Sequence, residues 1–163
     1  MKARMESRRA WLGACAAGAL AAWVPWLALA QAAAPVLPRP TSLAAELERA
    51  LAARKALVVM VSLEGCPWCK LARESYLVPL RAEGQRVVQI EMAGPIPLTD
   101  LRGRPSTHEQ VVRALDVRVA PTVLFIGRGG VEVAPRLSGV ASPDFYGAYL
   151  QDRVDAANRT VAG

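Results

Sequence analysis

Aromatic residues are scarce in this chain, 6% of 163 residues, histidine occurs once, and cysteine three times. The lone His108 has no partner cluster of metal-ligating type and is expected as an exposed residue in the first turn of a helix, not as a ligand. The 20 Lys and Arg exceed the 14 Asp and Glu, but they stand singly among apolar segments. They lack the basic stripe with interleaved aromatics that tracking a phosphate backbone requires, which argues against nucleic acid as a partner. No internal repeat and no second domain are visible.

What the chain does have begins at its amino end. Lys2, Arg4, Arg8 and Arg9 form a basic start, Trp11 to Leu29 is mostly apolar, and Ala28-Leu29-Ala30 suits signal peptidase, so residues 1–30 read as an export leader. Ser7-Arg8-Arg9-Ala10-Trp11-Leu12 resembles a twin-arginine signal, although adjacent arginines also serve the general route. A retained membrane anchor is the weaker reading, because the stretch is rich in Ala and Gly and ends at a processing site. Cys15 follows Leu12-Gly13-Ala14, which mimics a lipoprotein site, but no adequate apolar segment precedes it, so it is expected to leave with the leader. Four of the 20 cations and one of the 14 anions leave too, and the net charge falls from +6 to +3. The remaining 133 residues suffice for one core. The expected location is the periplasm, with the protein soluble after cleavage near Ala30.

The two cysteines that stay, Cys66 and Cys69, lie in Gly65-Cys66-Pro67-Trp68-Cys69, directly after the apolar run Leu57-Val58-Val59-Met60-Val61. A thiolate at a helix N-terminus meets unpaired N–H groups and the positive end of the helix dipole, and a second thiol one turn on can attack the mixed disulfide formed there. The chain-entropy gain of a disulfide grows with the loop it closes, so bridging residues three apart would staple almost nothing. Exchange explains the pair better than stability does. Two soft thiolates could instead hold copper(I), which would make the protein a carrier.

Residues 31–40 carry three prolines and no periodicity and are expected as an extended Pro/Ala-rich linker, with the domain spanning residues 41–157 and a tail at 158–163. Ser42 can cap a helix bearing Leu43, Leu47 and Leu51 on one stripe. Leu57 to Leu63 reads as a strand buried on both faces. A helix follows the cysteines, which Pro79 should kink or end. Val87 to Ile90 is a second strand, and Met92 to Pro105, with Pro95, Pro97, Pro105, Gly94 and Gly103, is a structured loop or insertion. Ser106 and Glu109 make a capping box for a helix carrying Val111, Val112 and Leu115. Thr122–Ile126 and Val131–Leu137 are strands, the second placed at an edge by Pro135. Ser142-Pro143-Asp144 then opens a last helix with Phe145, Tyr149 and Val154 on one side.

This α/β order, with Cys-x-x-Cys at the first strand-to-helix junction and Ala120-Pro121-Thr122 before the third strand, resembles the thioredoxin superfamily across residues 41–157. Leu115 to Phe125, followed by Gly130-Val131-Glu132 and Gly139, is the most telling segment. The leader and the insertion are most similar to the periplasmic thioredoxins, including those of sulfur-oxidation systems, while Cys-Pro-aromatic-Cys is nearer to glutaredoxins.

The resemblance implies a thioredoxin fold, with a central mixed sheet of four to five strands flanked by helices on both faces. It implies a redox-active Cys66–Cys69 disulfide, Cys66 attacking and Cys69 resolving, with Pro67, Trp68 and Pro121 in support. Pro121 would be cis beside the sulfurs, and Trp68, Ala120 and Pro121 would meet an extended substrate. The implied partners are protein disulfides or thiols and a membrane electron donor, with the protein a monomer that needs no cofactor and no metal. Reduction is the expected direction, with disulfide donation through the same pair as the alternative. Met60 stands where thioredoxin keeps a buried Asp, so proton transfer at Cys69 would fall to water or Glu64. Lys70 divides between stabilising a nearby thiolate and lying as a plain solvated lysine.

Overall fold

The computed structural model describes residues 36–163; the expected leader, its cleavage site and Cys15 lie outside the described residues. Along the chain run α1 (Leu43–Ala52), β1 (Leu57–Ser62), α2 (Pro67–Ala72), a π-helical turn (Arg73–Leu77), α3 (Val78–Ala82), β2 (Val87–Glu91), β3 (Pro97–Thr99), β4 (Pro105–Thr107), α4 (His108–Ala114), β5 (Thr122–Ile126), β6 (Glu132–Ser138) and α5 (Pro143–Ala162). The main sheet has four strands in the order β2-β1-β5-β6. β1 pairs parallel with β2 and antiparallel with β5, so the sheet is mixed.

Every residue of β1, β2 and β5 is buried, as continuous apolar runs covered on both faces require. Successive side chains point to opposite faces, and the core divides accordingly. Val58, Met60, Val87, Val123 and Phe125 pack with α2, α3 and α5. Leu57, Val59, Val61, Val88, Ile90, Leu124 and Ile126 pack with α1 and α4. β6 holds the edge that Pro135 demands, and its pairing to β5 is interrupted by register shifts.

Several details differ from the sequence-based expectation. The helix after the cysteines does not end at Pro79; its regular α-helical bonding is interrupted just before the proline. The Val78 N–H reaches the Arg73 carbonyl five residues back, and this wider turn stands directly before the proline, where it makes room for a ring and for a missing donor. The insertion contains a short antiparallel hairpin, β3 with β4. Asp100 ties its turn by accepting from the N–H groups of Arg102 (2.8 Å) and Arg104 (2.9 Å), and these bonds hold its carboxyl below the usual range. The α4 cap is Thr107, whose hydroxyl accepts from the Gln110 N–H, rather than Ser106, whose hydroxyl turns to the Gln110 side chain. In α5 the buried stripe is Tyr146, Leu150, Val154, Ala157 and Val161. Phe145 and Tyr149 lie outside it, exposed, because the helix packs one position around from the stripe that the aromatics suggest.

Both ends of the expected domain extend further. Residues 36–40 are extended, as their prolines require, but they are packed: Leu37 is 1% exposed in the core, and the Pro38 carbonyl accepts from the Gln89 N–H at 2.9 Å. An extended proline-rich segment keeps its carbonyls free, so it can cover the open edge of β2. Residues 158–162 are the last turn of α5, with Val161 buried. The Asn158 side chain accepts from the Ala56 N–H and donates to Gln85 Oε1, while Gln85 Nε2 donates to the Ala56 carbonyl.

His108 is the clearest correction. It is fully buried. Its Nδ1 accepts from the Glu91 N–H at 2.9 Å, so the ring is neutral with its proton on Nε2. The hairpin places it there, since the His108 N–H bonds the Ile96 carbonyl, and first-turn position alone does not reveal that cover. Burial, reinforced by Arg39 and opposed by Glu91, pushes the imidazole below its usual range.

Two outcomes follow for stability. Leu37→Ala should cost about 2–5 kcal/mol by equilibrium unfolding, as for a buried leucine rather than a linker residue. The unfolded chain binds a proton to His108 at higher pH than the folded one, so this contribution is complete above about pH 6.5 and is lost as pH falls toward the lower folded value. Denaturant midpoints measured from pH 7.5 to 5 should decline, and His108→Asn should flatten that decline.

Candidate active site

β1 is the central strand that delivers the cysteines. It ends at Ser62, and the chain turns through Leu63, Glu64 and Gly65 to Cys66, the N-cap of α2. Gly65 sits at φ +73°, a conformation that a side chain would strain. Cys66 itself is extended (φ −80°, ψ 114°), and its Sγ accepts from the Cys69 N–H at 3.1 Å. A sulfur thus does what Ser or Asp does at other caps. Pro67 follows in the first turn, where its missing N–H leaves no helical bond unmade.

The two thiols differ in surroundings. Cys66 is half-buried at the surface, while Cys69, one turn on, is 0% exposed. Burial pushes the Cys69 thiol up to about 11, with its hydrogen bond to Cys66 adding to the rise. A contact with the Ser62 hydroxyl acts in the opposite direction. Met60 is fully buried in the same core cluster as Cys69 and offers no proton. Ser62 was not among the residues that sequence reasoning singled out. Its position at the end of an inward-facing strand, four before Cys66, was the available signal.

Across from α2, the Ala120–Pro121 peptide is cis, and Ala120 packs against the cluster that contains Cys69. The Cys66 Sγ lies 3.9 Å from the Ala120 carbonyl, positioned to donate to it. Thr122 locks this turn by donating from its hydroxyl to the Val119 carbonyl at 2.7 Å. Trp68 is 52% exposed, and Leu63 and Val119 are also exposed large apolar residues. The structure therefore brings together Cys66, Pro67, Cys69, Ala120 and Pro121, with Trp68 beside them on the surface. Glu64 and Lys70 line a cleft on another side of Cys66, together with Arg73, Gln89 and Glu91. Among the described residues there is no group of three or more His, Cys, Asp or Glu placed to hold a metal ion, and no helix is long and apolar enough to cross a membrane.

The thioredoxin-like domain family model matches residues 43–153, most of the chain, and the protein belongs to that family, whose fold carries thiol–disulfide exchange. No curated protein matches it. Among solved structures it is similar to the reduced periplasmic thioredoxin SoxS from Paracoccus pantotrophus, with 21% identity over 63% of this chain and 99% of that one, at a TM-score of 0.42. It is also similar to the Fasciola hepatica thioredoxin (19% identity, 73% and 97% covered, TM-score 0.46) and to a thioredoxin from Thermus thermophilus (20% identity, 77% and 88% covered, TM-score 0.46).

The asymmetry of the thiols sets a chemical expectation. Iodoacetamide at pH 7 should label Cys66 and leave Cys69 unmodified, as read by peptide mass mapping of the reduced protein. Modification of both at equal rates would contradict the burial and the high Cys69 value.

Proposed function

We propose that the protein is an exported thiol–disulfide oxidoreductase that reduces protein disulfides. The observation that carries this reading is the pairing of a half-buried cysteine at the N-cap of α2 with a fully buried one a turn behind it. Cys66 attacks a substrate disulfide; its S–S bond breaks, a mixed disulfide forms, and one substrate half leaves as a thiolate. Cys69 then gives up its proton and attacks the Cys66 sulfur, releasing the second half and closing the Cys66–Cys69 bond. A value near 11 keeps Cys69 protonated until that step, which gives the mixed disulfide time to form in one direction. Water takes up its proton, and the Ser62 hydroxyl, in contact with Cys69, donates a hydrogen bond to the thiolate as it forms.

Pro67 fixes the first turn. Trp68 and the Ala120–Pro121 backbone form the surface that an extended substrate meets, with main-chain pairing at Ala120. Export rests on the leader read at residues 1–30, and placement in the periplasm rests on the same residues. A reductase in an oxidising compartment needs electrons from outside it, which makes a membrane thiol–disulfide carrier the expected donor.

The test has two parts. Cys69→Ala should accumulate substrates as stable mixed disulfides on Cys66, visible on non-reducing gels and absent in Cys66→Ser; a pair that only staples the fold would trap nothing. The potential of the couple, measured against glutathione, decides direction. A value nearer to about −270 mV than to about −120 mV supports reduction, and one near the upper figure assigns disulfide donation instead.

A further inference from the structure

On the β2 side of Cys66 lies a cleft of about 880 Å³, within the range of small-molecule sites. Trp68, Val119 and Ala120 do not line it. Cys66, Lys70 and Arg73 occupy positions i, i+4 and i+7, one face of the helical segment, and all three line the cleft. The opposite wall comes from β2, where Gln89 and Glu91 alternate onto the face that looks toward α2.

These walls are wired together. Arg73 Nη1 donates to Gln89 Oε1 at 2.9 Å, and Gln89 Nε2 donates to Glu91 Oε1 at 2.8 Å. Arg39, from the segment covering the β2 edge, pairs with Glu91 at 3.0 Å. Gln89 is only 3% exposed, so a buried neutral amide orients the Arg73 guanidinium while standing between it and the carboxylate. Glu91 is matched by Arg39. Among the described residues neither Lys70 nor Arg73 forms an ion pair with any carboxylate. Glu64 also lines the cleft, giving three cations against two carboxylates at its walls.

We propose that this cleft is a subsite for the carboxylate of a small anionic disulfide, held by Arg73 and Lys70 while its sulfur reaches Cys66. The proposal rests on the thiol–disulfide reading above and adds a substrate class to it. The electron balance is that of exchange. The Cys66 thiolate displaces one carboxylate-bearing thiolate from the substrate. Cys69, losing a proton to solvent, displaces the second, and the protein ends as the Cys66–Cys69 disulfide with two electrons transferred to two small thiols.

The experiment uses the pre-reduced full chain in single turnover, with release of the small thiol as the readout. Three disulfides of similar size are compared: 3,3′-dithiodipropionate (anionic), 2-hydroxyethyl disulfide (neutral) and cystamine (cationic). Each rate is divided by the rate with dithiothreitol to remove intrinsic reactivity. The anionic substrate should exceed the neutral one by roughly tenfold at low salt, with cystamine below both, and the preference should shrink as ionic strength rises. Arg73→Gln should remove most of that preference and Arg73→Lys should retain much of it. Arg159→Gln, which deletes the same charge on α5 away from the cleft, should leave it intact.

Equal normalised rates for all three, or the same preference in Arg73→Gln as in Arg159→Gln, would overturn the proposal. A disulfide peptide with acidic flanks supplies the other source of a carboxylate. If Arg73 affects only that peptide and not dithiodipropionate, the subsite belongs to protein substrates and the small-molecule assignment fails. Failure of the wild type to release thiol from any substrate faster than Cys66→Ser would instead refute the underlying exchange reading.

Discussion

The hydrogen bond from the Cys69 N–H to the Cys66 sulfur is the contact around which the rest is arranged. Negative charge on that sulfur is met by an N–H donor and by the positive end of a short helix. For the bond to exist, Cys66 must leave the helix in extended geometry while residue 69 is already inside it. Gly65 supplies the turn and Pro67 the first helical φ. β1, buried along its whole length and paired on both sides, fixes where that turn begins. The rigid centre of the sheet thus sets the position of one reactive atom, while the exposed loop leaves it reachable.

That much is legible in sequence, because each part has a local signature. An unbroken apolar run marks the strand and Cys-Pro-x-Cys marks a capped helix start, while the facing turn at Ala120-Pro121-Thr122 enters only through the resemblance to the thioredoxin superfamily. What sequence does not disclose depends on distant cover. His108 carries the local signature of an exposed first-turn residue, yet it is fully buried, with the hairpin that directly precedes it tying its N–H to the Ile96 carbonyl. Residues 36–40 have linker composition, yet an open strand edge with unpaired groups captures them. The same proline content that rules out a helix or an interior strand leaves carbonyls available for that edge. Pro79 shows the converse: a correct local rule, that proline removes a helical bond, is satisfied by one widened turn instead of an end to the helix.

These unforeseen contacts converge on β2. Its outer edge takes the Pro38 carbonyl, its last residue gives an N–H to His108, and Glu91 on its inner face takes Arg39. An edge strand so occupied has little capacity left to pair with another chain, so the segment before α1 protects the fold as well as extending it. The polar groups on this strand are all the more constrained because they are buried: Gln89 and Glu91 bond each other and two arginines, and removing Arg73 or Glu91 would leave one end of the buried Gln89 amide unpaired.

The surroundings of Cys66 consequently differ from side to side for a topological reason. Toward β5 the neighbour is an interior strand that leads in from the cis turn, and the sulfur meets the Ala120 carbonyl with exposed Trp68 and Val119 near the rim. Toward β2 the neighbour is an edge strand whose outer flank is closed by a charged segment, so arginines and a carboxylate can stand within reach of water while their partners stay buried. The chemistry of exchange is common to both sides. Discrimination among disulfides can therefore be written on the β2 side without altering the cap, since the Arg73–Gln89 hydrogen bond is separate from the one that the Cys69 N–H gives to the Cys66 sulfur.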